Sequence, residues 1–140
     1  MKNLKSIFFS TIAVSFLSLV FIIPAFASTS IFNLKMNKVY LDGRVDGAYH
    51  KLDAGKVLIN GSTYVYSKDA GAKNTPTQLL FSLWNSTSGN SFGSVQAKVG
   101  SNFSGTFKTV GGGTKYYLII TRVDGKDDGN NIKGSGTLKN

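Results

Sequence analysis

Residues Asp124-Gly125-Lys126-Asp127-Asp128-Gly129-Asn130-Asn131 form the densest run of hard oxygen donors in the sequence. Calcium takes six to eight such ligands, and Asp and Asn on a glycine-rich loop supply them. Asp124, Asp127, Asp128 and Asn130 are therefore candidate calcium ligands. The spacing is not that of an EF-hand, and Lys126 sits inside the run. The competing reading is a hydrophilic connection between two strands. Calcium is the one cofactor the sequence brings into question.

His50 is the single histidine. A histidine beside a serine, oriented by Asp46 or Asp53, is the arrangement of a hydrolase. Residues 28–140 hold no G-x-S-x-G elbow, and a lone histidine in a strand is more often structural. Paired carboxylates suit glycoside hydrolysis. Asp42, Asp46, Asp124 and Asp128 each precede a glycine, however, and Asp-Gly is turn chemistry. These readings point away from an enzyme.

Aromatic side chains are the other lead. Sugars stack on exposed rings, and rings also anchor protein interfaces. Trp84, Tyr64 and Tyr66 are the candidate ligand-binding residues. Trp84 closes an apolar run just before a polar loop, which places it at an edge.

The charge is one-sided. Residues 28–140 carry fourteen Lys and Arg against seven Asp and no Glu, a net charge of +7. Such a surface is drawn to anionic polymers and membranes, although charge also serves solubility. Nucleic acid is not the expected partner: the lysines are scattered along the chain, and Arg44 and Arg122 are the only arginines.

The elements that must position these residues are strands. Lys2 and Lys5, an apolar run from Ile7 to Phe26 and the Ala25-Phe26-Ala27 site make residues 1–27 a cleaved secretory signal peptide. Residues 28–140 then form one exported domain without a membrane anchor. It has no cysteine, so its core must hold it together without disulfides. Glycine, serine, threonine, asparagine and tyrosine dominate, which is turn and strand material.

Short apolar runs predict strands near 37–42, 45–51, 56–60, 62–67, 78–84, 94–99, 103–109, 115–123 and 131–138. The expected fold is all-β: an antiparallel, jelly-roll-like β-sandwich of about eight or nine short strands. Asn60-Gly61 predicts a two-residue hairpin turn. Alternation of Val95, Ala97 and Val99, then Phe103 and Phe107, predicts a hairpin with a three-residue turn at 100–102. Leu79-Leu80-Phe81 and Tyr116 to Ile120 are apolar on both faces and predict central strands. The run Lys115-Tyr116-Tyr117-Leu118-Ile119-Ile120, followed by Gly134-Ser135-Gly136, resembles the end of small jelly-roll domains appended to secreted bacterial enzymes. The resemblance implies the fold and assigns no site.

The sequence therefore reads as a secreted, non-catalytic binding protein of the bacterial cell envelope. Its expected ligand is an anionic wall polymer, a glycan or a protein. The alternative is a cationic antimicrobial or toxin-like effector acting on membranes.

Overall fold

A computed structural model describes residues 27–74 and 77–140; the signal-peptide reading falls almost wholly on residues 1–26, outside them. The described chain is all-β and antiparallel, with seven strands: β1 (Thr29–Met36), β2 (Tyr40–Asp42), β3 (His50–Lys68), β4 (Gln78–Asn85), β5 (Ser91–Lys98), β6 (Asn102–Arg122) and β7 (Asn130–Lys139). Period-two alternation builds them. In β1, Phe32, Leu34 and Met36 point inward between exposed Ile31, Asn33 and Lys35. In β4, Leu79, Phe81 and Leu83 do the same.

Two strands are long because glycine bends them rather than ending them. β6 pairs with β3 through residues 102–116 and with β4 through residues 116–122. Just before the changeover at Tyr116 lie Gly112 and Gly113, with φ of 82° and 133°, and on β3 Gly55, opposite Val110, has φ of 146°. These are backbone states that glycine adopts at little cost. β6 therefore crosses from one layer to the other. The first layer is β1-β7-β3-β6, using residues 102–110 of β6. The second is β2-β6-β4-β5, using residues 114–122. Counting β6 as two strands gives layers ordered 1-8-3-6 and 2-7-4-5, the arrangement of an eight-stranded jelly roll. Phe81 joins the layers: its ring stacks on Phe103 at 4.6 Å and meets Phe32 at 5.9 Å.

Several expectations need correction. Asn60-Gly61 is not a turn; both residues lie inside β3, where Asn60 faces Ser104 and Thr137 and Gly61 faces Phe103 and Gly136. Glycine is there for space. A Cβ on Gly61 would sit 3.0 Å from the Phe103 ring, and one on Gly136 would sit 2.6 Å from the Phe32 ring. Strands 56–60 and 62–67 are thus one strand.

The expected turn at 100–102 is displaced: the turn covers residues 99–101, Asn102 already opens β6, and it joins layers rather than hairpin partners. β5 pairs with β4, and residues 102–107 pair with β3. The inward set is as expected, since Val95, Ala97, Val99 and Phe107 are buried. β1 lies ahead of the first expected strand. Residues 43–49 form a turn-rich loop in place of the strand expected at 45–51. The central positions of β4 and of residues 116–120 are as expected.

Candidate functional site

The outer face of the first layer is built by register. Lys35 of β1 stands directly opposite Lys133 of β7, which stands opposite Tyr64 of β3. Like charges facing each other across antiparallel strands repel, by about 0.2–1 kcal/mol. The two ammonium groups share one aromatic ring: Lys35 Nζ lies 5.7 Å and Lys133 Nζ 4.7 Å from the Tyr66 centroid. Cation–π attraction of about 0.5–1 kcal/mol at an exposed site offsets part of the repulsion.

Toward the other end of this face Lys139 lies in register with Leu58, while Lys56 and Lys108 are exposed beside buried Val57 and Phe107. No aspartate occurs in β1, β6 or β7, or in residues 54–68 of β3. Five lysines therefore share a layer face on which no carboxylate answers them. Between the lysine ends run flat rows of Ser62, Ser104, Ser135, Asn33, Asn60 and Thr137. The sequence hid this face, because its lysines come from four strands far apart in the chain. The available signal was the alternation itself, which puts Lys35, Lys133 and Lys139 at outward positions.

Tyr64 and Tyr66 belong to this face, with Tyr64 exposed. Trp84 does not. It lies on the outer side of the second layer, opposite Tyr117 on β6 and Ser91 on β5. The three aromatic candidates therefore lie on opposite sides of the sandwich and do not form one platform.

Around Trp84 the loop 43–49 folds over the sheet. Tyr49 meets the edge of Tyr117 at 6.3 Å, Arg44 lies 4.9 Å over Tyr117, and Lys115 Nζ lies 5.2 Å over Tyr49. Arg44 is held by Asp42 through a 2.7 Å ion pair. The Arg44 hydrogen bonds keep the Asp42 carboxyl below the ordinary aspartate range.

The loop after β6 has a structural organisation. The Asp124 carboxylate accepts the Lys126 N–H at 3.1 Å, and the Asp127 carboxylate accepts the Gly129 N–H at 3.0 Å. Asp128 is buried and paired with the Arg122 guanidinium, which also donates to the Asn130 carbonyl at 2.7 Å and the Lys38 carbonyl at 3.1 Å. Burial pushes the Asp128 carboxyl up. The Thr77 hydroxyl, the Asn130 donors and Arg122 together outweigh it and hold the group below its usual range. The structure thus brings Asp128 and Asn130 together around an arginine, while Asp124 and Asp127 cap exposed turns. Among the described residues no three acidic or histidine side chains converge as a metal cage. This loop connects the two layers; it is not a hairpin, since β7 pairs with β1 and β3.

His50 is buried, and its Nδ1 shares a 2.8 Å hydrogen bond with the Ser30 hydroxyl. Burial lowers its pKa, so the ring is held neutral. Neither Asp46 nor Asp53 bonds to it: the Asp53 backbone is tied to Ser28 and Asn140 instead.

No family model and no curated protein matches the chain. Among solved structures it is similar to a chain from the Bacillus endospore appendages, a novel family of disulfide-linked pili. The identity is 10%, with 81% of this chain and 84% of that chain covered, at a TM-score of 0.39. It is also similar to the Yersinia pseudotuberculosis-derived mitogen. There the identity is 10%, with 80% of this chain and 83% of that chain covered, at a TM-score of 0.35.

Proposed function

We propose that the chain is a secreted, non-catalytic binding protein that attaches to an anionic polymer of the bacterial cell envelope through the outer face of its first layer. The observation that carries this reading is the opposed Lys35–Lys133 pair over Tyr66, within a face of five lysines and no aspartate. A protein that folds with only partly relieved like charges has a surface that an anion stabilises, and local conflicts of this kind gather at functional positions. Lysine ammonium is a hydrated point charge without fixed fork geometry. It suits a repetitive, flexible polyanion better than a single small ligand. The non-catalytic part of the reading is supported by His50, which is buried against one serine and lacks an orienting carboxylate among the described residues.

The membrane-active alternative has one observation in its favour. Ile31, Leu58 and Tyr64 are exposed at 70%, 39% and 53% and lie on the same face as the lysines. Side chains that protrude beside cations are what an anionic bilayer takes up.

The test is binding of the chain from Ser28 onward to purified cell walls, to soluble polyphosphate and to phosphatidylglycerol vesicles. Lys35→Glu/Lys133→Glu is expected to abolish wall and polyphosphate binding, while Trp84→Ala, on the other side, leaves it unchanged. Vesicle leakage lost in Ile31→Ser would favour the membrane reading. Wall binding that survives the double charge reversal and vanishes in Trp84→Ala would overturn the proposal.

A further inference from the structure

The layers end in four edge strands: β1 and the outer stretch of β6 in the first, β2 and β5 in the second. An edge presents unpaired backbone groups that invite another strand, and proteins blunt their edges against this. β2 is blunted by length, with only three residues. β5 carries an extra residue where Ser82 and Trp84 of β4 face Ser94 and Ser91, with Gly93 at φ of 99°. The outer stretch of β6 bulges at Lys108, because Lys56 and Val57 face Thr109 and Phe107. β1 has none of these devices. Its eight residues pair with β7 without a register shift, it holds no proline, and Lys35 is its single charge. Ile31 stands in mid-strand and points into solvent.

The register identifies the unpaired groups. The Asn140 N–H donates to the Ser28 carbonyl at 3.2 Å, in line with the β1–β7 pairing. In an antiparallel strand the N–H and C=O of one residue point to the same side, and the side alternates along the chain. Ser30, Phe32, Leu34 and Met36 therefore bond to β7. The N–H and C=O groups of Thr29, Ile31, Asn33 and Lys35 point off the edge. Among the described residues no other strand and no loop backbone bonds to them.

This row is complementary to itself. About a two-fold axis at Phe32, Thr29 faces Lys35 of a second copy and Ile31 faces Asn33, so every unpaired N–H meets an unpaired C=O. Moving the axis to Ile31 or Asn33 leaves Lys35 or Thr29 without a partner. Placing it between residues sets inward side chains against outward ones. In the Phe32 register no lysine faces a lysine.

We propose that the chain forms a two-fold dimer in which the β1 edges pair in this register and join the two first layers into one sheet. The two Ile31 side chains become diagonal neighbours on its outer face. The apolar crevice between β1 and β2, lined by Phe32, Leu41, Leu118 and Ile120, lies at the same edge and is shielded from water. Both lysine faces turn the same way and lie side by side. The pairing itself uses β1 alone and does not depend on polymer binding.

The test is sedimentation equilibrium of the chain from Ser28 onward, which holds all seven strands, without polyanion. Concentrations run from about 1 µM to about 1 mM, the span of weak association. A reversible monomer–dimer equilibrium is expected. It should tighten with added salt, because residues 28–140 carry a net charge of +7 and two copies repel. Polyanion binding has the opposite salt dependence, so the failure of one proposal is distinguishable from the failure of the other. Asn33→Pro removes an edge N–H where proline is tolerated and should give a folded monomer. Ile31→Lys adds a charge at the joint and should weaken the dimer severalfold. The chain has no cysteine, so Ile31→Cys and Asn33→Cys report the register. Facing residues in a bonded pair lie about 5.5 Å apart, within disulfide range, whereas diagonal ones lie about 7–8 Å apart. The two variants mixed should form a disulfide under mild oxidation, and neither should do so alone. A monomer at every concentration, a dimer that neither Asn33→Pro nor Ile31→Lys weakens, or a disulfide formed as readily in one cysteine variant alone would each overturn the proposal.

Discussion

Replacing Phe81 by alanine removes the ring through which β4 of the second layer touches both β1 and β6 of the first. Phe81 is fully buried, stacked on Phe103 and tilted against Phe32. Truncating a buried phenylalanine costs about 3–5 kcal/mol, and each aromatic pair lost adds about 0.5–1.5 kcal/mol beyond area burial. Both partners are lost together. The expected cost therefore sits at the upper end, about 4–5 kcal/mol. Domains of this size have about 5–15 kcal/mol in all, so the variant is near the limit of folding. Urea unfolding of wild type and variant, followed by tryptophan fluorescence, measures the difference. The slope should be unchanged and the midpoint much lower. Leu80→Ala, on the half-buried outer side of the same strand, is the control and is expected to cost less than half as much. A Phe81→Ala loss below about 1 kcal/mol would refute the two-layer packing.

Arg122→Met leaves the buried Asp128 carboxylate without its cation and is expected to cost about 3–5 kcal/mol, the usual result of removing one partner of a buried pair; a loss under 1 kcal/mol would mean that this network is not structural. Burial holds the His50 pKa below the ordinary value of about 6.5, so the unfolded chain takes up that proton first. The stability that neutral His50 provides is complete above about pH 6.5 and is lost as pH falls from there through the folded pKa. A urea midpoint measured from pH 8 to 5 should show this step, and His50→Asn should remove it. Asp42 and Asp128 are depressed instead, so their contribution is present above about pH 4 and is lost as pH falls below it. A second acid step should follow, which Arg44→Gln weakens at Asp42.

The inward residues were legible in the sequence because alternation reports the face of a strand directly. Val95, Ala97 and Val99 and then Phe107 are buried as alternation requires. Alternation does not report the partner, and the pairing of β5 with β4 rather than β6 followed from layer crossing, which has no local signal. Asn60-Gly61 misled because glycine serves two purposes, positive φ and close approach, and the second depends on a ring 42 residues away, at Phe103. Trp84 was expected at an edge but lies on β4, paired on both sides by β5 and β6, and its separation from Tyr64 and Tyr66 by the thickness of the sandwich had no local signal. The lysine face was invisible for the same reason: Lys35 and Lys133 meet only once β1 and β7 pair. The aspartates of the 124–131 loop looked like ligands because the arginine that engages Asp127 and Asp128 comes from the preceding strand.

The central claim is that polyanion binding belongs to one face, and lysine footprinting reads that face directly. The chain is acetylated lightly with and without bound polyphosphate, and the modification of each lysine is measured by mass spectrometry. The lysine-face account predicts protection of Lys35, Lys56, Lys108, Lys133 and Lys139. Lys98 on the second layer and Lys126 in the 124–131 loop should remain reactive. Protection spread evenly over all lysines, or concentrated on Lys98 and Lys126, would contradict it.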